Sequence, residues 1–186
     1  MANVYDVADF FIELAGQEEE GVITQLKLNK LLYYAQGLYL AKTGKPLFAD
    51  SIEAWEYGPV VPAIYQRYKV CGSNPIAAEG KDVSGLFSED EYDTLLDTAR
   101  EYGKYTASYL VSKTHNPDTP WSQTDRNKII EHNLIASYFT MHEKVPSFSE
   151  ILASKDIPTI GYRDSDGYLV LPVDEDDDCW DKYDEM

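Results

Sequence analysis

Basic residues are scarce in this chain of 186 residues: 16 Lys and Arg stand against 33 Asp and Glu, for a net charge of −17. Direct nucleic-acid binding needs clustered cations to neutralise phosphates and is not expected here. Cysteine is scarcer still. Cys71 and Cys179 lie far apart in unlike segments, so they predict neither a disulfide framework nor metal-ligand spacing. The apolar runs are short and interrupted, which predicts no membrane-spanning helix. Asp6, Asp9 and Glu13 occupy an N-terminal stretch without the basic flank of a signal peptide, so the cytoplasm is the expected compartment.

The usual catalytic templates are missing as well. His115, His132 and His142 are separated by other elements and form no HExxH or Cys-His set. No GxSxG elbow and no glycine-rich phosphate loop is present. Cys71, alone beside Gly72, reads as small-residue packing rather than as a nucleophile. The expectation is a protein that is not an enzyme and holds no metal or cofactor.

What the chain does have is apolar residue, 44% of it, enough for a sizeable core. Fifteen tyrosines supply apolar bodies with wet tips, suited to helix edges or to a partner surface. The organising stretch is residues 26–69. Thr24 can cap a long helix on which Leu28, Leu31, Leu32, Ala35 and Tyr39 recur at the spacing of a buried stripe. Tyr34, Leu38 and Leu40 widen that surface, so neighbours should cover the helix on several sides. Gly44 and Pro46 should end it. Residues 51–57, with Ile52, Trp55 and Tyr57, read as a short extended arm. Gly58-Pro59 reads as the turn after it, and a helical pattern resumes at Val60 with Val61, Ile64, Tyr65 and Tyr68 inward.

Two blocks of this sequence carry a resemblance. KLNKLLYYAQGLYLAKTGKPLFADSIEAWEYGPVVPAIYQRY, followed by Thr114-His115 and Pro120-Trp121, resembles the signature of the SocA-like or Panacea antitoxin domain, also seen in phage-associated GepA-type proteins. The resemblance implies a non-enzymatic scaffold that binds and neutralises a cognate toxin directly, or presents it to a Clp-type protease. An acidic phage or mobile-element inhibitor that mimics nucleic-acid charge is the alternative, and an unrecognised hydrolase a further rival class. Trp55, Tyr57, Gly58, Pro59, His115 and Trp121 are the candidate partner-binding residues. Each also has a bland reading: His115 as a hydrogen-bonded loop histidine, the Trp55–Pro59 group as a wedge fixing the arm to the helices.

The rest of the chain fills in a mainly α fold. Asn3 can cap a first helix with Val4, Val7, Ala8, Phe11 and Ala15 on one side. The acidic run 18–20 before Gly21 reads as a solvated loop. Ser88 and Glu91 form a capping box ahead of Tyr92, Leu95, Leu96, Ala99 and Tyr102. Thr106 can cap a short helix carrying Tyr109, Leu110 and Val111. A last substantial helix is expected over residues 130–142, and a short turn of helix over 146–154. Residues 157–173 read as a β-hairpin extension and 174–186, with eight acids and one lysine, as a disordered acidic tail. The expected division is thus a compact helical domain with a short β arm or hairpin over 1–156, then a β-hairpin extension and tail.

Overall fold

The computed structural model describes residues 1–17 and 23–142, together with the short strands Tyr162–Arg163 and Leu169–Val170. It is mainly helical, with one small antiparallel hairpin inserted among the helices. Helix α1 (Val4–Gly16) begins where the Asn3 side chain accepts from the Tyr5 N–H. Helix α2 (Gln25–Thr43) begins on Thr24, whose hydroxyl accepts from the Lys27 N–H, and ends on Gly44 in the left-handed conformation at φ 69°. Both termini follow the capping chemistry written in the sequence.

Helix α2 is the axis of the fold. Fourteen of its residues are buried, polar ones included, so it is covered on all sides rather than along one stripe. It packs against α1, the hairpin, α3 (Pro62–Tyr68), α4 (Glu89–Tyr102), α5 (Ala107–Thr114) and α6 (His132–His142). Leu28, Leu32 and Ala35 are fully buried, and Tyr39 is half-buried at the rim. On the far side, Tyr34 stacks on Tyr102 of α4 at 3.9 Å, and Phe139 of α6 meets Tyr33 and Tyr34 edge to face. That approach is possible because position 37 is glycine: a Cβ there would collide with the Phe139 ring.

The expected β arm or hairpin is a hairpin, and the correction concerns its turn. Strands β1 (Glu53–Trp55) and β2 (Gly58–Val60) pair antiparallel with Trp55 opposite Gly58, so Glu56-Tyr57 is the turn and Gly58-Pro59 belongs to the second strand. Gly58 has φ +100°, and a Cβ on it would lie 2.7 Å from Thr114 Oγ1 and 2.9 Å from Lys30 Cε. Close approach fixes the glycine here, not the turn. The outer edge of β1 is paired too: Ala54 exchanges hydrogen bonds with Asn127 and Lys128, and the Ile130 N–H donates to the Ile52 carbonyl. Ile130 is therefore extended, and α6 starts at His132 rather than at 130.

Two of the large side chains on these helices are exposed, Leu96 on α4 and Tyr109 on α5. The α4 interior uses Thr94, Leu95 and Thr98 instead, with both threonine hydroxyls bonded back to carbonyls four residues earlier. The capping box of Ser88 and Glu91 forms, as does the Thr106 cap on α5. No helix among the described residues is long and apolar enough to cross a membrane. In the predicted hairpin extension, Tyr162 pairs with Val170 and Arg163 with Leu169, as strands β3 (Tyr162–Arg163) and β4 (Leu169–Val170). The acidic run 18–20, the expected short helix over 146–154 and the tail 174–186 lie outside the described residues.

Candidate functional site

The hairpin is held by side chains from three places in the chain. Trp121, in the turns after α5, donates its indole Nε1–H to the Trp55 carbonyl at 2.7 Å. His115, the residue after α5, places Nε2 3.0 Å from the Glu56 carbonyl and Nδ1 2.7 Å from the Val111 carbonyl. Its ring lies 3.7 Å from that of Trp121. From beneath, Lys30 of α2 donates Nζ to the Pro59 carbonyl at 3.0 Å, and Asn29 accepts the Val61 N–H at 3.0 Å. A two-stranded ribbon leaves a row of backbone groups unpaired on each of its outer edges. Here α2 satisfies the row on the β2 side and the 127–130 segment does so on the β1 side.

Lys30 is the unexpected member. It is fully buried, and burial lowers its pKa from 10.5 to about 7. A lysine in water would be charged at neutral pH; this one is balanced between ammonium and neutral amine. No signal in the sequence marked it, because a lysine within a helix normally reads as the solvated face. Its neighbour Asn29 was missed for the same reason, as was Gln36, which is fully buried and binds the backbone of Leu47 and Phe48.

The six candidate residues separate by position. Gly58 and Pro59 are buried in β2 over Lys30. His115 and Trp121 are spent on hairpin carbonyls. Trp55 and Tyr57 are half-buried and line a cavity of about 240 Å³ with Gln25, Leu26, Val60 and Tyr65. The Trp55 ring stands edge to face on Tyr65 of α3 at 4.8 Å, while its Nε1–H donates to Glu53 Oε2 at 2.8 Å. Trp55 is therefore both the wedge between arm and helix and a wall of an open cavity. Among the described residues, no group of three or more His, Cys, Asp or Glu is placed to hold a metal ion.

Polar residues of a buried helix thus clamp a partly exposed hairpin. The family model for "Antitoxin SocA-like, Panacea domain" matches residues 28–122, a span that contains every clamp residue from Asn29 to Trp121. The chain belongs to this SocA-like Panacea family. It is also similar to "Antitoxin SocA" of Caulobacter vibrioides (strain NA1000 / CB15N), with 35% identity over 109 residues, covering 53% of this chain. The aligned part amounts to 58% of that relative's length. No solved structure matches the chain.

Proposed function

We propose that this protein is an antitoxin that neutralises a protein toxin by direct contact, using the folded part of the chain. The observation that carries the reading is the clamped hairpin. Binding energy concentrates in a few aromatic anchors held rigidly against a partner. Lys30, Asn29, His115 and Trp121 fix the hairpin from both sides and leave Trp55 and Tyr57 on its accessible face. Gly58 and Pro59 serve by letting the strand lie down on α2. None of these roles requires a catalytic group, and the name of the Caulobacter relative supports the same reading.

Handing the bound toxin to a Clp-type protease is a second route open to the same complex. Charge mimicry of nucleic acid is a separate reading, favoured by the sequence pI of 4.4. Salt separates them, since a charge mimic loses most of its affinity as ionic strength rises whereas an aromatic-anchored interface keeps it. The direct test is co-expression with the product of the neighbouring open reading frame. Growth arrest relieved by this chain, with the two proteins co-eluting as a stable complex, is the expected result. Arrest unchanged by the chain, for a neighbour shown to be toxic, overturns the reading.

A further inference from the structure

We propose that the cavity beside the hairpin turn is a socket for one aromatic or large aliphatic side chain carried on a basic segment of the partner; this rests on the antitoxin reading above. Size is the first argument. At about 240 Å³ the cavity falls below the usual range for small-molecule pockets and suits a single side chain. Its walls are Trp55 and Tyr65, with Leu26 and Val60 buried behind them.

The second argument is hydrogen-bonding capacity. Gln25 donates its amide to the Tyr65 carbonyl at 2.9 Å, and Asn29 uses one end on the Gln25 carbonyl and the other on the Val61 N–H. The Trp55 indole N–H is held by Glu53. The amides of Gln25 and Asn29 and the indole N–H of Trp55 are thus committed to the fold, and the other polar residues lining the cavity are Glu56, Tyr57 and Asn127 at the turn side. At the committed walls a polar occupant would give up its water for little return. An apolar one would not.

Charge selects the flanks. Glu56 stands at the rim with a side chain 62% exposed, and its ion pair with Arg126 is a loose 3.9 Å. The chain as a whole carries −17. That field attracts a cationic partner and repels a second copy of this chain. It also repels the chain's own tail, whose Trp180 sits among eight acids.

The test uses the full chain, labelled with ¹⁵N, titrated with acetylated and amidated peptides KRWRK, KRARK and EDWDE while the Trp55 indole N–H and Val60 N–H are followed by NMR. KRWRK should shift both signals and bind at least about tenfold tighter than either other peptide, as a buried aromatic anchor requires. Tyr65→Ala should weaken it. Glu56→Arg, an exposed substitution that leaves the fold intact, should erase the preference over EDWDE. Equal binding of KRWRK and KRARK, or shifts confined to another face, overturns the socket. Tighter binding of EDWDE points to the acidic tail and overturns the basic partner; concentration-dependent shifts of the same signals without peptide point to a second copy and do likewise. Peptide binding at the socket by a chain that neutralises no toxin overturns the antitoxin reading and leaves the socket standing.

Discussion

Replacing Lys30 by methionine tests the buried amine against a shape of similar length without charge. The folded pKa near 7 lies below the ordinary value of 10.5, so between those values the unfolded chain binds the extra proton. Stability from this site is therefore complete above about pH 10.5 and is lost as pH falls towards 7. At about 1.4 kcal/mol for each tenfold change in proton affinity, the full cost of burying the amine is about 5 kcal/mol at and below pH 7. Methionine removes that cost but leaves the Pro59 carbonyl without its donor, a loss of about 1–3 kcal/mol. The variant should thus be more stable than the parent by about 2–4 kcal/mol at pH 6. By pH 10 about 4 kcal/mol of that difference should have gone, leaving the variant no more stable than the parent. Urea denaturation of both proteins at pH 6, 8 and 10 gives the comparison directly. Parallel stability curves across that range would refute the reasoning, because they would mean that Lys30 keeps its charge in water.

Two further substitutions probe the axis helix. Leu32→Ala removes a fully buried side chain and should destabilise by about 2–5 kcal/mol, measured by chemical denaturation; no loss would take α2 out of the centre. Gly37→Ala separates local from tertiary effects: helix propensity alone predicts a gain of about 1 kcal/mol, whereas the clash with Phe139 predicts a loss of about 1–3 kcal/mol. A lower melting temperature for the alanine variant is the expected outcome, and a higher one would show that α6 moves away freely.

The sequence made the ends and apolar faces of the helices legible because caps and periodicity are local. Asn3, Thr24, Gly44, Ser88 and Thr106 all act at the termini they mark. Leu28, Leu31, Leu32 and Ala35 are buried where the spacing puts them. What failed depended on partners distant in the chain. Gly58-Pro59 is a strong turn signal, yet Gly58 answers to Lys30 and Thr114 and the turn falls two residues earlier. Ile130 carries a helical apolar spacing, yet the Ile52 carbonyl draws it into extended pairing. Leu96 recurs at helical spacing on α4, yet it is exposed among the described residues. The site divides along the same line. Its candidate residues come from the resemblance and the aromatic content, while Lys30 and Asn29, which hold the hairpin, were hidden because polar residues on a helix ordinarily face water.

The most direct measurement is the binding kinetics of the toxin with two altered forms of this chain, one truncated after Val173 and one carrying Trp55→Ala. Loss of the acidic tail should slow association, an effect that fades with added salt, and leave dissociation and neutralisation intact. Loss of the Trp55 ring should instead speed dissociation and weaken affinity by about thirtyfold or more, the scale of a hot-spot anchor. The reverse pattern, with the truncated chain inert and the tail peptide sufficient to inhibit, would contradict the account and favour charge mimicry.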